Sequence, residues 1–167
     1  MRKLLSSELG KCFDAKVQSL HPRFVRMAPS VYLRRYELEV DPGLSLYLLL
    51  QTRSNVDGFT VAVGWGPPGD DPEPNFGEPL LERPEAVRLG RLDPRNREDL
   101  WWWLDPTEPR TLQRLLDPPA PIELCRGRIP VLLDEVISLV SGFAVPYWER
   151  VVCYRSSQVG RSAIFSV

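Results

Sequence analysis

The chain has 167 residues, 43% hydrophobic and 26% charged, which fits one domain with a core of its own. Its net charge of −1 leaves no global field to recruit nucleic acid or an anionic membrane. Three cysteines without a CxxC pair, and His21 as the only histidine, exclude a zinc knuckle, a thioredoxin-like site and a histidine metal cluster.

The start, Met1-Arg2-Lys3-Leu4-Leu5-Ser6-Ser7-Glu8, holds too short an apolar run for a signal peptide. Ser6 or Ser7 can cap a helix running to about Leu20, with Leu9, Cys12, Phe13, Val17 and Leu20 on one face and Pro22 as its stop. Cys12 on that face reads as a core thiol. His21 reads as a helix-end residue favourable to the dipole rather than as a catalyst. Arg23, Arg26, Arg34 and Arg35 then form a basic cluster. It is either a patch for phosphate or an acidic partner, or solvated charge protecting a sheet edge.

Three strand-like runs span 31–65. Tyr36, Leu38 and Val40 alternate with Arg35, Glu37 and Glu39, the period of a strand with one buried and one wet face. Asp41-Pro42-Gly43 is a turn, because proline presets φ and glycine admits positive φ. The second run, Leu46 to Leu50, is apolar throughout and suits a strand covered on both faces. In the third, Phe59, Val61, Val63 and Trp65 alternate with Thr60, Ala62 and Gly64, small residues over which another layer can pack. Loops this short dictate an antiparallel meander.

Residues 66–84 are rich in proline, glycine and acid and predict a long surface loop able to touch a partner. Asp70 and Asp71 with Glu73 match no EF-hand spacing, so no metal site is expected. Residues 86–92 resume alternation with a phase slip at Gly90, predicting a fourth strand with a bulge. Asp93-Pro94 has the form of a helix start. On a helix, Leu100, Trp101, Trp103 and Leu104 share a face while Trp102 points the other way. Trp102, with Arg95 or Arg97 beside it, is then a candidate contact residue; its alternative is burial under the proline loop or at a second packing surface.

A short helix over 107–117 and an amphipathic helix from Arg128 or Ile129 are predicted next. Leu133, Val136, Ile137, Val140 and Phe143 form the stripe of the second, and Gly142 and Pro146 stop it. Asp134 and Glu135 interrupt the apolar region 129–148, which argues against a membrane span. Residues 146–154 read as a last turn or helix, and 163–167 as a strand-like tail.

The chain contains no phosphate-cradling glycine loop, no nucleophile elbow and no cysteine-phosphatase spacing. The strings Leu48-Leu49-Leu50-Gln51, Phe59 to Gly64, Arg88-Leu89-Gly90-Arg91-Leu92 and Asp99 to Trp103 resemble an uncharacterised bacterial family of small α+β domains of unknown function. Some members of such families sit among candidate toxin-immunity or accessory proteins. The resemblance covers about the middle half of the chain and implies no catalytic residue.

The expectation is therefore a cytoplasmic α+β domain over 1–167. It has a mainly antiparallel sheet of about four or five strands, with N-terminal and C-terminal helices packed on it. Its function is non-enzymatic protein binding of immunity or adaptor type, with no cofactor and no membrane or nucleic-acid partner. Trp102, Arg95, Arg97, Arg34, Arg35, Asp70 and Asp71 are the surface candidates. The alternative is an enzyme acting on a small phosphorylated or acidic molecule through arginines and carboxylates brought together by the fold.

Overall fold

A computed structural model of the chain describes residues 3–28, 32–52, 57–72, 74–75, 79–95, 98–107 and 118–162. Helix α1 (Lys3–Leu20) buries Leu5, Leu9, Phe13 and Val17, the i, i+4 stripe that its sequence dictates. After the short edge strand β1 (Val25–Arg26) come β2 (Arg34–Asp41), β3 (Leu44–Thr52) and β4 (Gly58–Gly66), paired antiparallel as the alternation requires. Gly43 takes φ +85° in the β2–β3 turn, a conformation that costs glycine little. In register, Tyr36 faces Leu48 and Leu38 faces Leu46, while Leu46, Leu48 and Leu50 face Trp65, Val63 and Val61.

The strand order is β1-β2-β3-β4-β6-β5, where β5 is Pro74–Asn75 and β6 is Glu85–Arg88. Only β5 and β6 run parallel. A further strand, β7 (Trp102–Trp103), pairs with β4 at Gly58 and Phe59, beyond the stretch used by β6. The expected α+β arrangement is present, a mainly antiparallel sheet with N-terminal and C-terminal helices packed on it. All three helices lie on one face of the sheet and share its large core.

The other face departs from expectation. Glu37, predicted wet, is 8% exposed. The first part of the proline-rich stretch folds back over this face instead of looping into solvent. Glu37 accepts hydrogen bonds from Ser45 Oγ at 2.6 Å and Gly69 N at 2.9 Å. Tyr47 donates its hydroxyl to the Pro67 carbonyl, and Pro72 is buried. Under this roof Tyr32, Tyr47, Leu49, Ala62 and Ala86 form a second, smaller cluster.

Three further expectations are corrected. The strand expected over 86–92 ends at Arg88 and tightens into a 3₁₀ turn, Leu89–Leu92. Gly90 is pressed against the Glu98 carbonyl and Leu100, where any Cβ would collide. The tryptophan string is not helical. Pairing with β4 gives it the two-residue period of a strand, so Trp102 faces the core and Trp101 and Trp103 face the other way.

The C-terminal helix begins earlier and does not stop. Helix α2 (Ile122–Leu139) carries Pro130 in its interior, and a π turn (Val140–Ala144) joins it to α3 (Val145–Ser162). Within that turn Val145 N–H reaches back to the Val140 carbonyl. Pro146 follows immediately, where the widened turn makes its missing N–H tolerable. By length and composition Ile122–Gln158 could span a membrane. Here Ile129, Leu133, Val136, Val140, Ala144 and Tyr147 pack in the core. The helix expected over 107–117 and the tail 163–167 lie outside the described residues, apart from Thr107.

Candidate functional site

A concavity lies beside the joint in the C-terminal helix. Gly142, Phe143, Pro146, Tyr147 and Arg150 line it from the helix side. Arg91, Leu92 and Pro94 line it from the 3₁₀ turn and its exit, and Pro79 and Leu81 close it from the segment before β6. The cleft has a volume of about 560 Å³, within the range of small-ligand sites. Phe143, Tyr147 and Arg150 fall four and three residues apart, so an uninterrupted helical path presents them together.

The floor is a buried polar network. Tyr147 donates its hydroxyl to Glu85 Oε1 at 2.9 Å. Glu85, only 1% exposed, also accepts from Asn75 Nδ2 at 2.6 Å and Leu80 N at 2.7 Å. Burial first, then the Glu85 charge and hydrogen bond, push the Tyr147 phenol far above its ordinary range. Tyr147 is therefore a neutral group at working pH and not a base.

The walls carry positive charge. Arg91 donates from Nε to Asp99 Oδ1 at 2.5 Å, and Arg88 pairs with the other oxygen of Asp99. Arg150 is exposed, and its guanidinium has no hydrogen-bond or carboxylate partner among the described residues. At the rim Arg95 lies over the Phe143 ring, 5.9 Å from its centroid. Arg95 is bound at both ends to Asp93 at 3.0 Å, and these bonds hold the Asp93 carboxyl below its usual value.

Of the surface candidates read from the sequence, only Arg95 touches this cleft, and Arg97 lies outside the described residues. Arg34 donates to Asp14 at 2.9 Å, where Arg26 and the Tyr36 hydroxyl also converge. Arg35 binds Asp71 at 3.2 Å and the Gly69 carbonyl at 3.3 Å. Asp70 accepts from the Asp71 N–H. Three arginines of the basic cluster are thus matched to acids of the protein, and Arg23 donates to the Glu39 carbonyl at 3.2 Å. Trp102 is 5% exposed and stacked on Phe59 with centroids 5.6 Å apart, which removes it as a surface contact.

Two other features lie apart from the cleft. Asp57, Asp105 and Cys125 are buried with ligand-type atoms within 4.8 Å of one another. Asp105, however, accepts from Thr107 N and Oγ1 and from Ala120 N, the bonds of a carboxylate that ties two chain segments together. An apolar hollow of about 220 Å³ lies between Phe24, Leu38, Leu46 and Trp148, with His21 and Glu149 also lining it.

The cleft residues Arg91, Tyr147 and Arg150, and Glu85 behind them, escape a reading of the sequence. The one signal for them is the Phe143–Tyr147–Arg150 spacing, which is hidden once Pro146 is taken as a stop. No protein family, curated protein or solved structure matches the chain.

Proposed function

We propose that this chain is a non-enzymatic binding domain of adaptor or immunity kind, that its partner is another protein, and that the cleft beside the π turn holds that partner. The make-up of the cleft carries this reading. Apolar walls and two guanidinium groups line it, with no serine, cysteine, histidine or carboxylate among its described lining residues. Nucleophilic or acid–base turnover needs such a group within hydrogen-bond reach of the ligand. Recognition needs shape, apolar contact and a few placed charges. The competing reading, an enzyme acting on a small acidic molecule, would have to recruit Glu85, which sits behind Tyr147 with three donors already bound.

Affinity capture with the tagged full chain from its own host's lysate, at low and moderate salt, tests the reading. Gly142→Phe is the matched variant, because nothing lies within 4 Å of the position its Cβ would take. Gly142 lines the cleft, so the added ring is expected to obstruct it without disturbing the core. One stoichiometric protein that survives moderate salt on the native chain and is lost on Gly142→Phe supports the proposal. A bait that returns alone, or a partner held equally by both chains, overturns it.

A further inference from the structure

We infer that the group this cleft takes is an oxyanion, a carboxylate or phosphate, carried on a compact apolar body, with Arg150 as its anchor. The inference rests on the cleft being the binding site, but not on the partner being a protein.

The first observation is the state of Arg150. Several arginines of the chain are matched to an acid: Arg26 and Arg34 to Asp14, Arg35 to Asp71, Arg95 to Asp93, and Arg126 to Glu8. Arg150 has no such partner among the described residues and lines a concave surface. A guanidinium presents a planar fork of donors that fits a carboxylate or phosphate in a two-point contact.

The second observation is charge balance. Arg91 brings a second cation to the cleft from the 3₁₀ turn, held in place by Asp99, and no carboxylate is among the described lining residues. Asp99 and Glu85, the carboxylates nearest the cleft, stand behind its lining and are already bound to donors of the protein, so Arg150 is the charge at the cleft surface that its described surroundings leave unmatched. The third is the rest of the lining. Leu81, Leu92, Phe143 and Pro146 offer apolar contact. The Tyr147 hydroxyl keeps its proton and donates it in the hydrogen bond to Glu85, so it has no second donor to offer a neutral amide carbonyl. The cleft therefore discriminates by charge at one end and by apolar fit at the other.

Titration of the full-length protein with phenylacetate, phenyl phosphate and the neutral phenylacetamide, followed by protein NMR shifts, tests this. Both anions are expected to shift cleft resonances, the amide to bind about tenfold more weakly or worse, and added salt to weaken the anions alone. Comparison of the two anions shows which oxyanion is preferred. Arg150→Gln is expected to weaken the anions by about tenfold or more, the loss of a charge-assisted contact. Arg150→Lys should restore part of it. Arg150 is exposed and without a described partner, so an unchanged melting temperature in Arg150→Gln is the folding control. Gly142→Phe should block all three probes.

Equal binding of amide and anion, or full anion binding by Arg150→Gln, overturns the inference. So does the absence of binding at millimolar probe, even if partner capture succeeds. Conversely, anion binding with no captured protein sustains this inference and removes only the protein partner.

Discussion

Replacing Trp102 with alanine tests the placement of the tryptophan string most severely. The indole is 5% exposed and stacks on Phe59, and its backbone continues the sheet beside β4. Truncating a buried tryptophan to alanine costs about 3–5 kcal/mol through lost transfer energy and the cavity left behind. The ring stack accounts for about 0.5–1.5 kcal/mol of such a loss. Against a typical domain stability of about 5–15 kcal/mol, this is a large fraction. At about 2–4 °C per kcal/mol for a chain of this size, the melting midpoint should fall by about 6–20 °C. Trp103 lies on the opposite face, half-buried and stacked on Trp101 at 6.1 Å, so Trp103→Ala should cost only about 1–1.5 kcal/mol. Urea denaturation followed by far-UV circular dichroism compares the two without relying on tryptophan emission. A helical string would bury Trp101 and Trp103 and expose Trp102, reversing the order. If Trp102→Ala proves milder than Trp103→Ala, the strand assignment is refuted.

Alkaline pH should destabilise the protein through its buried phenols. Burial is the largest cause for Tyr36, Tyr47 and Tyr147, joined by the Asp14 bond, the Glu37 charge and the Glu85 charge respectively. Tyr47 is pushed up to about 12 and the other two higher, whereas an unperturbed tyrosine titrates at 10.0. Raised folded values mean that the folded state keeps protons that the unfolded state releases. The contribution to stability is complete below pH 10 and is lost as pH rises through the folded values. Urea midpoints measured at increasing pH should fall above that point, and ordinary titration of all five tyrosines in the folded protein would contradict this. Separately, Gly127 is an exposed interior position of α2 with open space at its Cβ. Gly127→Ala should raise stability by about 0.5–1 kcal/mol by restricting the unfolded backbone, and a lowered urea midpoint would show that the position is not plain helix surface.

The legible parts of the fold are those in which one segment displays its own period. Leu9, Phe13 and Val17 announce α1, and Tyr36, Leu38 and Val40 announce the core face of β2 without help from elsewhere. The illegible parts are set by partners distant in sequence. Two residues cannot show a period, so β7 owes its state to Gly58 and Phe59. Glu37 reads as solvent-facing until Gly69 N and Ser45 close on it. Gly142 and Pro146 are sound local stop signals. They are overridden because a π turn accommodates both while Val136, Val140, Ala144 and Tyr147 stay in the core.

The same logic bears on the arginines that the sequence makes conspicuous. Arg26, Arg34 and Arg35 stand out because they are close together, yet closeness on neighbouring strands is what lets Asp14 and Asp71 gather and neutralise them. A guanidinium left for a ligand must instead sit where the surrounding surface supplies no acid. Among the described residues Arg150 meets that condition, at a place it reaches because the π turn continues the helix past Pro146. The continuation carries Phe143, Tyr147 and Arg150 along one face of the cleft while the 3₁₀ turn at Leu89–Leu92 brings Arg91 to it. Two irregular turns, one tighter and one wider than an α-helix, thus make the cleft. Gly142→Phe obstructs it at the wider one, which is why that substitution separates the cleft from the rest of the surface more cleanly than any change in the basic cluster.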